Sequence, residues 1–253
     1  MPKSEATHTE IQKLLHLLRA ENADDFSFLE KLTKDEIAKL RIRILENAHF
    51  EQDDIWKRLA GVAKFMPSFM NAKVGETVLG PMISANLSNY LPVKDAVSVM
   101  GYMSSSYLAK VADYMIPEKS VELLNAIPMS ILKKVTLELI KHKNYYTSAG
   151  FVDVLELDKI VELSKVISDE NDLIAISEFV ENKSCIARIV EGFSDARICK
   201  IIETAYQSNR QEDVLSVFMH LTSKETQRML RLIASLPAAM KKKVLDDFEG
   251  RVG

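Results

Sequence analysis

The sequence predicts an all-α protein, a superhelical, solenoid-like array of about sixteen short helices with no sheet. Three observations carry that expectation. Apolar residues recur at i, i+3, i+4 and i+7 along almost the whole chain and nowhere alternate as a half-buried strand requires. Only 8 glycines and 7 prolines punctuate 253 residues, which leaves little turn chemistry for hairpins. From Gly80 the chain repeats itself every twelve residues, the length of a turn and a helix of about two turns.

The elements follow in order. Ile11, Leu14, Leu15 and Leu18 make the apolar stripe of a first helix over residues 9–21. Thr33 is placed to cap a second helix, with Glu36 three residues on as its capping-box partner and Ile37, Leu40, Ile44 and Leu45 as its apolar face. A third helix runs over 53–65 with Ile55, Leu59 and Val62 on one side, and residues 1–65 read as a three-helix N-terminal layer.

The composition then shifts. Between Met66 and Ile116 only Lys73, Glu76, Lys94, Asp95, Lys110 and Asp113 are charged, six of 51 residues. A helical surface facing water normally carries many more, so this segment is expected at the centre of the fold or at an interface. The repeat units are GPMISANLSNYL, PVKDAVSVMGYM, SSSYLAKVADYM, IPEKSVELLNAI and PMSILKKVTLEL. Their eighth positions, Leu87, Val99, Val111, Leu123 and Val135, are apolar throughout and should be buried. Each helix is too short to persist alone and requires stacking. The low-charge repeats span 66–144, and a looser helical array fills 145–253, the three segments forming one continuous structural unit.

IPEKSVELLNAI and PMSILKKVTLEL resemble the proline-started repeats of the N-terminal domain of MgtE-type magnesium transporters, to which segments of FliG-type flagellar motor switch proteins are related. The resemblance covers about residues 80–140. It implies a right-handed superhelix, and no acidic motif of the family maps onto this chain, so no magnesium ligands are carried over.

Few residues have the spacing of a chemical site. Glu46 and His49 form one E-x-x-H pair, where a di-iron site needs two such pairs and further carboxylates. Cys185 and Cys199 lie in apolar helical stretches and read as buried, reduced thiols. DENDLIAISEFV begins like a calcium loop but has Ile174 where glycine is required and Val180 where glutamate is required, so it reads as an acidic helix start. Ser104, Ser105 and Ser106 read as N-cap material. Lys241, Lys242 and Lys243, with Arg228 and Arg231 upstream, read as a solvated basic face. No phosphate-binding loop or nucleophile elbow is present, and the chain is expected to be non-enzymatic, with no cofactor and no metal.

The candidate binding face is a tyrosine ladder. Tyr90, Tyr102 and Tyr114 occupy the eleventh position of successive units, with Tyr107 and Met100 nearby. Either they pack in the core with hydroxyls at the rim, or they line a groove for a partner helix or an apolar ligand. If the array winds smoothly, the three should line one side of it.

A net charge of −3 gives no basic excess for nucleic acid, no apolar run approaches a membrane span, and the stretch MPKSEATHTE is no signal peptide. A cytoplasmic protein is therefore expected. The function expected first is an interaction or regulatory module binding a protein partner, with a homodimer expected. The alternatives are a carrier or sensor of an apolar small molecule or lipid, and a divalent-cation-sensing domain.

Overall fold

The computed structural model describes residues 5–20, 22–50 and 53–252, the side chains at 5–6, 45–50, 53 and 248–252 lying outside that description. Among the described residues every regular element is helical, and seventeen are α-helices. The chain divides into two compact units, residues 1–127 and 128–253. That boundary falls inside the repeat.

Unit 1 begins with α1 (Glu5–Leu17) and α2 (Lys34–Phe50), which pack on each other across a 3-10 segment, Ala23–Lys31, that the apolar pattern does not reveal. Leu14, Leu29 and Ile37 fill their shared core. Leu18 lies beyond the end of α1 and is exposed. The Thr33 capping box forms as expected: Thr33 N–H donates to Glu36 Oε2 (2.8 Å), and Glu36 N–H donates to Thr33 Oγ1 (3.3 Å). Those bonds hold the Glu36 carboxyl below its ordinary range, the backbone bond from Thr33 first. The pair Glu46 and His49 lies outside the described side chains.

The next helices are α3 (Asp53–Ala63), α4 (Ser68–Val74) with a π turn over Gly75–Leu79, α5 (Pro81–Ser88), α6 (Val93–Met100), α7 (Ser105–Ala112) and α8 (Val121–Ala126). The repeat register is visible in their caps. Gly80, Pro92 and Ser104 are the N-caps of α5, α6 and α7, and Ile116 caps the 3-10 turn Pro117–Lys119 ahead of α8. Gly80 has φ +80°, a conformation that favours glycine. Of the eighth positions Val99, Val111, Leu123 and Val135 are buried and Leu87 is half-buried.

Helices in this region pack on their next-but-one neighbours. α3 packs on α5 and α5 on α7, while α4 packs on α6 and α6 on α8. Two rows face each other, and each helix turns one face inward and its flanks to its row neighbours. Burial covers only part of the low charge of 66–116, since Phe69, Met70, Val78, Met82 and Tyr102 are exposed. Side-chain ties join helices of one row: Ser98 Oγ donates to Ser68 Oγ (2.9 Å), and the Tyr107 hydroxyl lies 2.8 Å from Ser84 Oγ. A further tie crosses between rows, where Glu76 Oε1 accepts from the Ser104 N–H (2.7 Å).

Unit 2 repeats the scheme with α9 (Met129–Lys141), α10 (Tyr145–Val154), α11 (Leu157–Ser164), α12 (Glu170–Phe179), α13 (Lys183–Glu191), α14 (Asp195–Gln207), α15 (Gln211–Phe218), α16 (Ser223–Ser235) and α17 (Ala238–Val252). The odd-numbered helices α9 to α15 form one row and the even-numbered α10 to α16 the other. The segment around Lys143, read as an interruption, is a tight turn: Lys143 has φ +54°, and Asn144 caps α10. Asp169 caps α12 by accepting from Asn171 N–H (2.9 Å), as an acidic helix start should. Arginines tie successive helices of a row. Arg197 donates to the Ile167 carbonyl, and Arg228 to the Phe193 carbonyl (2.6 Å) and to Asp195 Oδ1 (2.6 Å). Arg228 is thus engaged inside the array rather than in an open basic cluster. Cys185 and Cys199 are free and half-buried, and burial, then Asp153, pushes the Cys185 thiol up.

Candidate functional site

The site in unit 1 starts from α3, which is apolar on two faces. Trp56 (6% exposed), Ala60 and Ala63 point inward, and the two alanines allow close approach on the side where α3 packs on α5. Ile55 (54% exposed), Leu59 and Val62 (63% exposed), the face expected to pack, remain open. The expectation grouped the largest aliphatic residues, whereas packing selected the indole and the two smallest side chains.

After α3 the chain turns through Phe65, 91% exposed, to Pro67 and α4. Asn71 Nδ2 fixes this turn by donating to the carbonyls of Ala63 (2.8 Å) and Met66 (3.2 Å). Phe69 of α4 meets Tyr102, at the end of α6, edge-on with ring centroids 6.5 Å apart. Between the rows lies a cavity of about 210 Å³, lined among others by Leu59, Val62, Met66, Leu87, Met100 and Met103. Its polar lining groups are engaged: Ser88 Oγ donates to the Ala85 carbonyl (2.7 Å), and Ser84 pairs with Tyr107. Leu59 and Val62 belong both to the open strip and to the cavity wall, so strip and cavity are continuous.

The tyrosine ladder is not one row. Tyr90, Tyr102 and Tyr114 follow α5, α6 and α7, which alternate between the two helix rows, so Tyr102 sits on the opposite row from the other two. Tyr102 is 63% exposed, while Tyr90 and Tyr114 are half-buried, the latter under the Arg19 guanidinium at 3.9 Å. Tyr107 is no part of an open face: it is buried and donates to the Gly75 carbonyl (2.6 Å). Burial raises its hydroxyl pKa, against the Ser84 bond. Met100 is buried, and it lines the cavity wall. Of the five candidates, Met100 lines the cavity, while Tyr102 is exposed and meets Phe69. Ile55, Leu59, Val62, Phe65 and Phe69 were missed. The signal for Ile55, Leu59 and Val62 was α3 itself, whose apolar arc is too wide for one packed face; Phe65 and Phe69 lie beyond it.

Chemically the site offers apolar surface with exposed Asp54 and Arg58 on α3 and exposed Lys64 and Lys73 beyond it. Among the described residues no group of three or more His, Cys, Asp or Glu is placed to hold a metal ion. No described helix is long and apolar enough to cross a membrane. No family model, curated protein or solved structure matches the chain. The fold and the site thus define an all-α protein of two-row helical stacks with an open apolar strip beside a cavity.

Proposed function

We propose that the chain is a non-enzymatic helical-repeat interaction module, and that unit 1 receives an apolar helix of a protein partner along α3. The observation that carries this is the continuity of the open strip Ile55, Leu59 and Val62 with the 210 Å³ cavity. An amphipathic helix lays its apolar face into such a groove, and one large side chain inserted in the cavity acts as the anchor. Arg58, Lys64 and Lys73 favour a partner with acidic residues beside its apolar face. The right-handed superhelical winding that the MgtE resemblance implies belongs to this reading as well.

The test is a photo-crosslinking residue at position 62, introduced in the native host, with a control at exposed Lys134. The expected product is one protein joined at 62 and absent at 134, whose crosslinked peptide is helical, apolar on one face and acidic beside it. Binding of that peptide should weaken at least tenfold with Val62→Gln and with Leu59→Gln. Equal crosslinking at both positions would end the reading.

A further inference from the structure

The unit 1 cavity, at about 210 Å³, exceeds the roughly 150 Å³ at which an apolar cavity stays dry and takes up benzene. Unit 2 has a smaller cavity of about 120 Å³, which falls short of that volume. Protein interiors hold few voids larger than a water molecule, so a void of this size beside the open strip of Leu59 and Val62 is unusual.

Its wall also restricts what can enter. Among the described residues the polar side chains lining it are Asn71, Ser84 and Ser88, and none is charged. Every hydrogen they could donate is already engaged. Asn71 Nδ2 has two, which go to the carbonyls of Ala63 (2.8 Å) and Met66 (3.2 Å). Ser88 Oγ donates its one to the Ala85 carbonyl (2.7 Å). Tyr107 gives its hydroxyl hydrogen to the Gly75 carbonyl (2.6 Å), so in the pair with Ser84 (2.8 Å) the serine is the donor. A ligand group carrying a bare acceptor would lose its water here and find no donor in its place.

The rest of the wall is aliphatic or thioether. Met66, Met100 and Met103 bring three sulfurs to it, and sulfur meets the edges of aromatic rings favourably. A Cβ at Gly75 would stand 2.8 Å from the terminal methyl of Met103. Glycine there keeps free the space in which this flexible side chain can shift around what enters.

We propose that the cavity is a pocket for a phenyl ring, and that the partner helix docking along α3 supplies it as a phenylalanine side chain. The source of the ring rests on the docking reading; the preference for a ring without a bare acceptor rests on the cavity alone.

Benzene, pyridine and cyclohexane serve as probes on the full chain, read by isothermal titration and by thermal melting. Benzene should bind one per chain and raise Tm. Pyridine, of the same shape with one acceptor nitrogen and no donor, should bind at least tenfold more weakly. Ala96→Leu and, separately, Ser88→Leu put bulk into the cavity, and each should weaken benzene at least tenfold. Met100→Leu together with Met103→Leu keeps the volume and should lower the affinity of benzene relative to cyclohexane at least threefold. For the source of the ring, the purified chain carrying the photo-crosslinker at 62 is irradiated in host extract with and without saturating benzene. Benzene should reduce the product at least fivefold, because it occupies the place of the anchor.

Absence of benzene binding to the wild-type chain overturns the phenyl pocket and leaves docking along α3 standing on its own crosslink. So does equal binding of benzene to wild type and to whichever filled variant folds, or pyridine binding as tightly as benzene. Benzene binding with an unchanged product at 62 overturns the partner as the source of the ring. Benzene binding with no product at 62 overturns that source and ends the docking reading with it.

Discussion

Tyr107 and Tyr145 show how single hydroxyls hold neighbouring helices together. Tyr107 bonds both Gly75 and Ser84 in a buried setting. Replacing it with Phe keeps the ring and loses both bonds, so urea unfolding should show a loss of about 1–3 kcal/mol. Tyr145 donates to Asp172 Oδ1 (2.6 Å), tying α10 to α12. Burial first, then the bond to Asp172, pushes its pKa up to about 12 from the usual 10.0. A tyrosine with a raised folded-state pKa favours the folded form while neutral. Its contribution is complete below pH 10 and is lost as pH rises toward about 12. The difference in urea midpoint between the wild-type chain and Tyr145→Phe should therefore shrink between pH 10 and 12. A constant difference over that window would show that the bond to Asp172 contributes nothing, since a phenolate has no proton to donate to a carboxylate. Neither role was legible from residue type, because a tyrosine beside an apolar position suits a groove as well as a core. The partner atoms decide, and they lie 27 or more residues away for the Asp172 and Gly75 bonds.

At the scale of the element, capped helices were the most legible feature and face assignment the least. Thr33 with Glu36, Ser104 and Asp169 all cap as their sequences indicate, since capping is local. The twelve-residue register also holds, because an apolar eighth position points inward whichever row its helix joins. α3 shows the limit. Both of its sides are apolar, and which of them packs depends on the surface α5 presents, which local pattern does not contain. Trp56→Ala should cost about 3–5 kcal/mol through the lost indole and the cavity left behind. Val62→Gln on the open strip should change stability by no more than about 0.5 kcal/mol. The reverse order in chemical denaturation would restore the face first expected and remove the strip from the surface. It would also remove the basis for docking along α3.

For the whole molecule, the repeat of twelve residues is a repeat in sequence, while the spatial repeat is two helices. That difference explains why the tyrosine ladder splits between rows and why the ties within each row connect residues about thirty positions apart. The period was legible because each unit has its own turn and apolar position. The alternation between rows was not, because it arises from how short helices bury flanks against one another and leaves no mark on any one unit. Next-but-one packing in both units is the claim on which both cavities depend. Ser68 in α4 and Ser98 in α6 test it directly, since their hydroxyl oxygens lie 2.9 Å apart. Cysteines at both positions, in a chain carrying Cys185→Ser and Cys199→Ser, are short enough to meet disulfide geometry. Mild oxidation of the folded protein should close one intramolecular disulfide, seen as loss of both titratable thiols and a peptide joining the two helices. Two thiols that stay reduced and titratable in the folded chain would contradict the two-row packing.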